Sequence, residues 1–288
     1  MKFGFIGAGK VGIAFGMYLR KKGFSIQGYF SRNHISAQIA AEKTNSQAYK
    51  KVEQLISEID FLWITTPDDE IQAVCNHLAE RKLFREGQIV AHMSGAAPSI
   101  LLKEAQKRGC HIYSIHPLQS FAEIEKALKD LESTYFSIEG DLEKMHLIEA
   151  LFKKLGNPIF KIATKYKALY HAAACVFSNY LVTLVDEGLH YLERIGIDQE
   201  EGFKAVLPLM MGTLHNIEAM GTAKALTGPI ARGDQLTIES HIRILENQMS
   251  ESVAFYKRMG QMTLDVASVE KLKDKEKIAA LEYILKEV

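Results

Sequence analysis

The sequence predicts an α/β fold in which a doubly wound, mainly parallel sheet precedes an all-α half, and three observations predict it. Short β-like runs alternate with amphipathic helical stretches up to about residue 163. A glycine-rich turn directly follows the first of those runs. From residue 164 onward the strand signals stop and only helical periodicity continues. Two domains follow, residues 1–163 and 164–288, in keeping with a chain of 288 residues and a typical domain of about 150.

In order along the chain, strands are expected at 2–6, 25–30, 61–65, 88–92, 111–115, 135–138 and 159–162, where β-branched and aromatic residues cluster between turn signals. Helices are expected over about 165–194, 198–219, 234–247, 249–268 and 274–286. Hydrophobic residues make up 47% and charged residues 24%, the balance of an ordinary globular protein. Lys+Arg and Asp+Glu are equal at 35 each, so summed charge gives no reason to expect nucleic acid or anionic lipid as a partner. Cys75, Cys110 and Cys175 are widely spaced and form no CxxC pair, which reads as small core residues rather than a disulfide framework or zinc site. No HExxH, EF-hand or Cys/His ligand spacing appears, so metal catalysis is not expected. The first strand begins at Lys2, leaving no room for a signal peptide. No uninterrupted apolar run reaches the roughly 18 residues of a bilayer crossing, and the stretch after 165 is broken by His171, Ser178, Asn179 and Asp186. A cytoplasmic location without a membrane role is expected.

The strongest local signal is Gly7-Ala8-Gly9-Lys10-Val11-Gly12, placed between the strand Phe3-Gly4-Phe5-Ile6 and a helix ending at Gly23. Gly7 permits the tight turn, Gly9 lets backbone approach a pyrophosphate, and Gly12 allows close helix packing, while the helix start offers free N–H groups to the anion. This marks a Rossmann-type dinucleotide site; the bland reading is a glycine-rich turn that holds nothing. The second strand ends in Phe30-Ser31-Arg32-Asn33, where an NAD site normally carries an acidic residue for the ribose 2′-OH. A hydroxyl followed by a guanidinium suits a 2′-phosphate instead, so NADP is the expected cofactor, against the alternative of a solvated loop arginine. Thr65-Thr66-Pro67 ends a further strand and is expected to line the cofactor, while Asp68, Asp69 and Glu70 also read as an ordinary helix start.

Two later strand ends, His92-Met93-Ser94-Gly95-Ala96 and His116-Pro117-Leu118-Gln119-Ser120-Phe121, carry the polar groups expected to converge beside the nicotinamide. Ser94 and His116 are the leading catalytic pair; His92 also reads as a satisfied core residue, and a His before Pro as a turn former. In the helix after 165, Lys167, His171 and Ser178 fall on one polar stripe, and Tyr170, Ala173, Phe177, Leu181 and Leu184 on an apolar one. The polar stripe is expected to face the crevice between domains. Arg232, in Leu226-Thr227-Gly228-Pro229-Ile230-Ala231-Arg232-Gly233-Asp234, stands between two readings: a grip on an anionic group, or a neighbour of the Asp234 helix cap.

Together, the glycine loop, the 116–121 segment, Tyr170-His171-Ala172-Ala173-Ala174 with Ser178-Asn179, and the 226–234 stretch give the chain a family resemblance. It resembles the Rossmann-like oxidoreductases whose C-terminal half is a domain of unknown function. More distantly it is similar to pyrroline-5-carboxylate reductase, deazaflavin-dependent NADP oxidoreductase and the 6-phosphogluconate dehydrogenase superfamily, which implies an NADP-binding domain followed by a helical domain that often dimerises. Ser94 and His116 are similar in placement to the serine and histidine that prephenate dehydrogenases use on substrate. Lys167 is near where the superfamily's hydroxyacid dehydrogenases carry a catalytic lysine, although the usual Lys-x-x-Asn or Lys-x-x-His-Asn arrangement is not reproduced. The expectation is an NADP-dependent oxidoreductase, a homodimer acting on a small-molecule substrate that is an anionic carbonyl, imine or alcohol. Its catalytic candidates are Ser94, His116, Lys167 and His171, with Ser178, Asn179 and Arg232 on the substrate. The rival expectation is an idle NADP-binding module whose helical half serves dimerisation or a partner protein.

Overall fold

Strand β1 (Lys2–Ile6) lies inside one eight-stranded sheet, and its neighbours on either side diverge in chain order: β3-β2-β1-β4-β5-β6-β7-β8 among the described residues. The computed structural model describes residues 1–286. From β1 the chain runs through α1 (Lys10–Lys21), β2 (Ser25–Phe30), α2 (His34–Thr44) and β3 (Gln47–Ala48), building one wing. It then crosses through α3 (Val52–Glu58) to β4 (Phe61–Ile64) and continues by α4 (Ile71–Glu80), β5 (Ile89–His92), α5 (Lys103–Gln106) and β6 (His111–Pro117). This reversal beside β1 leaves a crevice at the carboxyl ends of β1 and β4, where sheets of this kind take ligands. After α6 (Ile124–Asp130), β7 (Phe136–Gly140) pairs antiparallel with β6; α7 (Met145–Leu155) then leads to β8 (Ile159–Lys161), parallel to β7.

The central strands FLWI and IVAH are buried throughout, as expected of parallel strands with both faces covered. Alternate residues point to opposite sides: Phe61 and Trp63 join Phe3, Phe5 and Phe15 in one core, while Leu62 and Ile64 join Val90 and Ile112 in the other. Trp63, the chain's single tryptophan, is fully buried, stacked on Phe61 with ring centroids 4.5 Å apart and edge-on to Phe15.

By its contacts the chain divides into Met1–Leu184 and a second unit from Val185 onward. The first unit includes α8 (Lys167–Phe177) and the start of α9 (Asn179–Arg194). In the second unit follow α10 (Gln199–Met220), α11 (Thr222–Ala225), α12 (Pro229–Arg232), α13 (Gln235–Gln248), α14 (Val253–Glu270) and α15 (Lys275–Ile284). Asp198, Asp234 and Asp274 cap α10, α13 and α15 through their side chains. Ile238, Ile242, Leu264, Ala267 and Leu281 make the core of this unit. In α10, by contrast, only Gly202 is buried.

Three elements differ from the sequence expectation. Strand β3 is two residues long, too short to show a period. Strand β6 runs on through Pro117, because the antiparallel pairing to Phe136 continues there, so His116 is a strand residue rather than one beyond the strand. Residues Thr164–Arg194 form a 31-residue helical stretch that is apolar and not buried in the chain, so by length and composition it is able to cross a membrane. Unbroken apolar runs do not reveal it, because isolated polar residues interrupt them without lowering the average over a long stretch enough.

Candidate active site

Gly7 turns the chain out of β1 with φ +103°, and its N–H donates to the Phe30 carbonyl at 2.9 Å. A Cβ there would lie 2.6 Å from the Thr65 carbonyl carbon, so both the backbone angle and the space require glycine. Thr65 Oγ1 donates to the Gly7 carbonyl at 3.0 Å, and a Cβ on Gly12 would meet that same hydroxyl at 2.5 Å. The turn is therefore pinned to the end of β4. Gly9 is different: a Cβ built on it meets nothing within 4 Å. It begins α1 without any side-chain cap, and the first turn holds no acidic residue. The N–H groups of Lys10, Val11 and Gly12 thus face the partial positive charge of a helix start with no carboxylate to quench it, which suits a diphosphate.

This turn borders a cleft of about 740 Å³. Of the residues expected there, Gly7, Ala8, Gly9, Ser31 and Arg32 line it, as do Thr65, Thr66 and Pro67. The Lys10 side chain does not; its Nζ donates to the Ala122 carbonyl at 2.7 Å. Arg32 is largely exposed and pairs with Glu70 at 3.0 Å. Lys50, Lys51, His77 and Arg81 add basic groups that no local motif announces, since they come from the β3–α3 link and from α4 and its end, and Glu53, paired with Arg81, and Glu70 line the cleft with them.

A second cluster gathers at the ends of β5 and β6 under α8. His92 is fully buried: Nδ1 accepts from the Ser94 N–H at 3.2 Å and Nε2 faces the Pro98 carbonyl at 3.3 Å. Burial pushes its pKa down to about 4, so the ring is a neutral, satisfied core residue. The Ser94 hydroxyl accepts from the Ala96 and Ala97 N–H groups and donates to Asp68 at 2.6 Å. Its single proton is committed, so Ser94 holds the turn in place rather than offering a hydrogen bond to a substrate. Asp68 is correspondingly no helix cap; Pro67 holds that position without a side-chain bond.

Above this turn the space over Gly95 is closed by two imidazoles. A Cβ on Gly95 would lie 2.7 Å from His171 Nδ1 and 2.8 Å from His116 Nε2. His116 Nδ1 is 2.7 Å from the Tyr170 hydroxyl. Burial, followed by the charges of Lys167, His171 and His92, takes the His116 pKa down to about 3. His171 Nδ1 is buried with no hydrogen-bond partner among the described residues, and Nε2 is 3.7 Å from Cys175 Sγ. Lys167 is 1% exposed, and its Nζ likewise has no partner among the described residues. Burial lowers its pKa to about 8, opposed by the carboxylates of Glu139 and Asp68. Glu139 itself is taken up by Ser99 and Thr164.

The inward stripe of α8 is thus Lys167, Tyr170 and His171, with Ala174 and Cys175 one turn on, the i, i+3, i+4, i+7 pattern. Tyr170 belongs to the polar set and not to an apolar stripe. Ala173 and Phe177, expected on the packed side, are exposed, as are Ser178 and Asn179 at the break between α8 and α9. Arg232 is exposed in the second unit, with Asp234 4.0 Å away, the arrangement of a helix-cap neighbour. Among the described residues no group of three His, Cys, Asp or Glu is arranged to hold a metal ion. What the first unit assembles is an anion-ready cleft and, near it in the fold, a neutral imidazole, a phenol and an unpaired amine able to hold or exchange protons.

Residues 1–117 match the family described as Rossmann-like domain, and residues 134–263 match Domain of unknown function (DUF2520). Protein TM1727 from Thermotoga maritima has the same fold at TM-score 0.75 and 28% identity, over 94% of this chain and 100% of that one. An imine reductase from Myxococcus stipitatus, solved in complex with NADP+, aligns at TM-score 0.67 and 14% identity, over 99% of this chain and 100% of that one. At that identity the likeness carries the fold. Among curated proteins, the glycerol-3-phosphate dehydrogenase [NAD(P)+] of Clostridium tetani (strain Massachusetts / E88) is 23% identical over 167 residues. That match spans 51% of this chain and 46% of the dehydrogenase, under half its length.

Proposed function

The chain belongs to the proteins that join a Rossmann-like domain to a DUF2520 domain, and from that premise we propose that it is an NADP-dependent oxidoreductase acting on a small, anionic carbonyl, imine or alcohol. The observation that carries the reading is the uncapped start of α1, open at Gly9 onto a cleft that also holds Ser31 and Arg32. The NADP+ complex of the imine reductase of like fold and the coenzyme in the curated relative's name support it. Bound in the cleft, NADP(H) would supply the hydride-transfer chemistry. The chain's own residues do the rest. The N–H groups of Lys10, Val11 and Gly12 hold the diphosphate, and Ser31 with Arg32 takes the 2′-phosphate. His116 and His171 exchange hydrogen bonds and a proton at the substrate heteroatom. The Lys167 amine meets a substrate oxygen, and Ser94, fixed by Asp68, shapes the turn beneath them.

Arg32→Ala tests the coenzyme choice. Because Arg32 already holds Glu70, a 2′-phosphate exchanges one partner for another, and the expected loss in NADPH affinity is about tenfold, or about 1.4 kcal/mol. NADH affinity is expected to stay nearly unchanged in calorimetric titrations; equal losses for both would remove the 2′-phosphate assignment. Activity against a panel of keto, imino and hydroxy acids separates an enzyme from an idle NADP-binding module, which would bind NADPH and oxidise none of it.

The same proposal includes a cytoplasmic homodimer. Support comes from α10, whose Phe203, Leu209, Leu214 and Met220 are exposed along a helix with one buried residue. An isolated apolar helix of this kind has little reason to stay folded in water, and a second copy covers it most economically. Sedimentation equilibrium is expected to give a dimer for the wild type and a smaller or unstable species for Leu209→Glu. A monomeric wild type that retains full helicity would overturn the assignment.

A further inference from the structure

We propose that Tyr170 and Ser137 are positioning residues that hold His116 as its Nε2–H tautomer, so that His116 presents a neutral N–H donor at the Gly95 face. The inference rests on the reading above that substrate is handled at that face.

His116 and Ser137 are direct cross-strand partners on β6 and β7, and Tyr170 comes down from α8 onto both. The Ser137 hydroxyl is fully buried, has no hydrogen bond of good geometry, and has the Tyr170 hydroxyl as its neighbour. Two proton arrangements are open to this trio. In one, the Ser137 O–H turns toward Tyr170 Oη, Tyr170 donates to His116 Nδ1, and the remaining ring proton sits on Nε2. Each buried O–H then faces an oxygen or nitrogen lone pair. In the other, Nδ1–H donates to Tyr170, whose proton turns to Ser137, and the Ser137 proton is left in the interior without an acceptor. An unpaired buried donor is the more costly defect; an idle lone pair is the milder one. Counting protons therefore selects the first arrangement.

Burial keeps the ring uncharged, with its pKa pushed down to about 3, and the groups that face it, Lys167, His171 and His92, act in the same direction. A neutral donor at Nε2 calls for an acceptor atom on the substrate, a carbonyl oxygen or an imine nitrogen lone pair. Gly95 leaves Nε2 clear of any side chain of its own, since a methyl there would lie 2.8 Å away. Tyr170 thus sets which of the two ring nitrogens does chemistry without touching the reacting atoms.

Two-dimensional 15N spectra of histidine-labelled full-length protein, with His116 assigned by His116→Gln, read the tautomer directly. The wild type is expected to carry its proton on Nε2 of His116. Tyr170→Phe is expected to lose that single-tautomer signature and to raise the ring's titration toward the ordinary histidine range, because the bond favouring its neutral form is gone. Ser137→Ala is expected to shift the same signals in the same direction by less, and it decides the matter if Tyr170→Phe does not fold. A wild-type proton on Nδ1, or an unaltered pattern in the folded variants, overturns the proposal. NADPH titrations on the same samples keep the two readings apart: a wild type that ignores NADPH sinks the coenzyme assignment, while the tautomer still decides this one.

Discussion

Gly9→Ala is expected to melt at the wild-type temperature while binding NADPH at least about thirtyfold more weakly, a loss of about 2 kcal/mol or more. The backbone at Gly9, φ −85° and ψ −177°, is one that alanine adopts without strain, and the added methyl meets no protein atom within 4 Å. It projects instead into the space through which a diphosphate reaches the first turn of α1. Gly7→Ala is the contrasting control. Its φ of +103° and its 2.6 Å approach to the Thr65 backbone predict a fold weakened by about 3 kcal/mol or more. Calorimetry for binding and thermal melts for stability distinguish the two substitutions. A Gly9→Ala protein with undiminished NADPH affinity would remove the anion site on which the coenzyme reading stands.

Lys167→Met is expected to raise stability and abolish most turnover together. The lysine is buried without a hydrogen-bond partner among the described residues, and its pKa is about 8 against 10.5 for an ordinary lysine. A depressed lysine pKa means that the folded state resists the charged form. The penalty is full below pH 8 and is relieved as pH rises from there through 10.5. The difference corresponds to about 3 kcal/mol at 1.36 kcal/mol per pKa unit. Urea unfolding should therefore show the variant more stable at neutral pH, with the gap narrowing by about 3 kcal/mol as the solution becomes alkaline. Loss of turnover by about a hundredfold or more is the size expected for a proton-handling group. A variant less stable than wild type at every pH would show that the amine is a structural tie. Such an exchange of stability for function is common where an ionisable group is held apart from water.

How far the site was legible in the sequence depended on how local its parts are. The glycine turn and its partners Ser31 and Arg32 were legible because strand, turn and helix follow one another within a few residues. Lys50, Lys51, His77 and Arg81 reach the same cleft from other elements, so no spacing along the chain announces them. Helical periodicity places Tyr170 on the apolar stripe because it counts a phenol as apolar; its hydroxyl is what meets His116. Asp68, beside Pro67 and two further acidic residues, does open a helical turn, but its carboxylate also takes the Ser94 hydroxyl across the sheet edge, which no local pattern announces. Ser178 continues the spacing of Lys167 and His171, but the helix breaks there and the residue faces outward. For Tyr170 and Asp68 it is a through-space partner, not a local preference, that decides the role.

The burial of Trp63 makes the molecule its own optical indicator. With one indole in the chain, and that one two residues before Thr65 at the edge of the cleft, intrinsic emission reports from a single place. Reduced nicotinamide absorbs in the range where indole emits, so occupancy of the cleft should register as a dimming of that light, without any attached dye and without knowledge of the substrate.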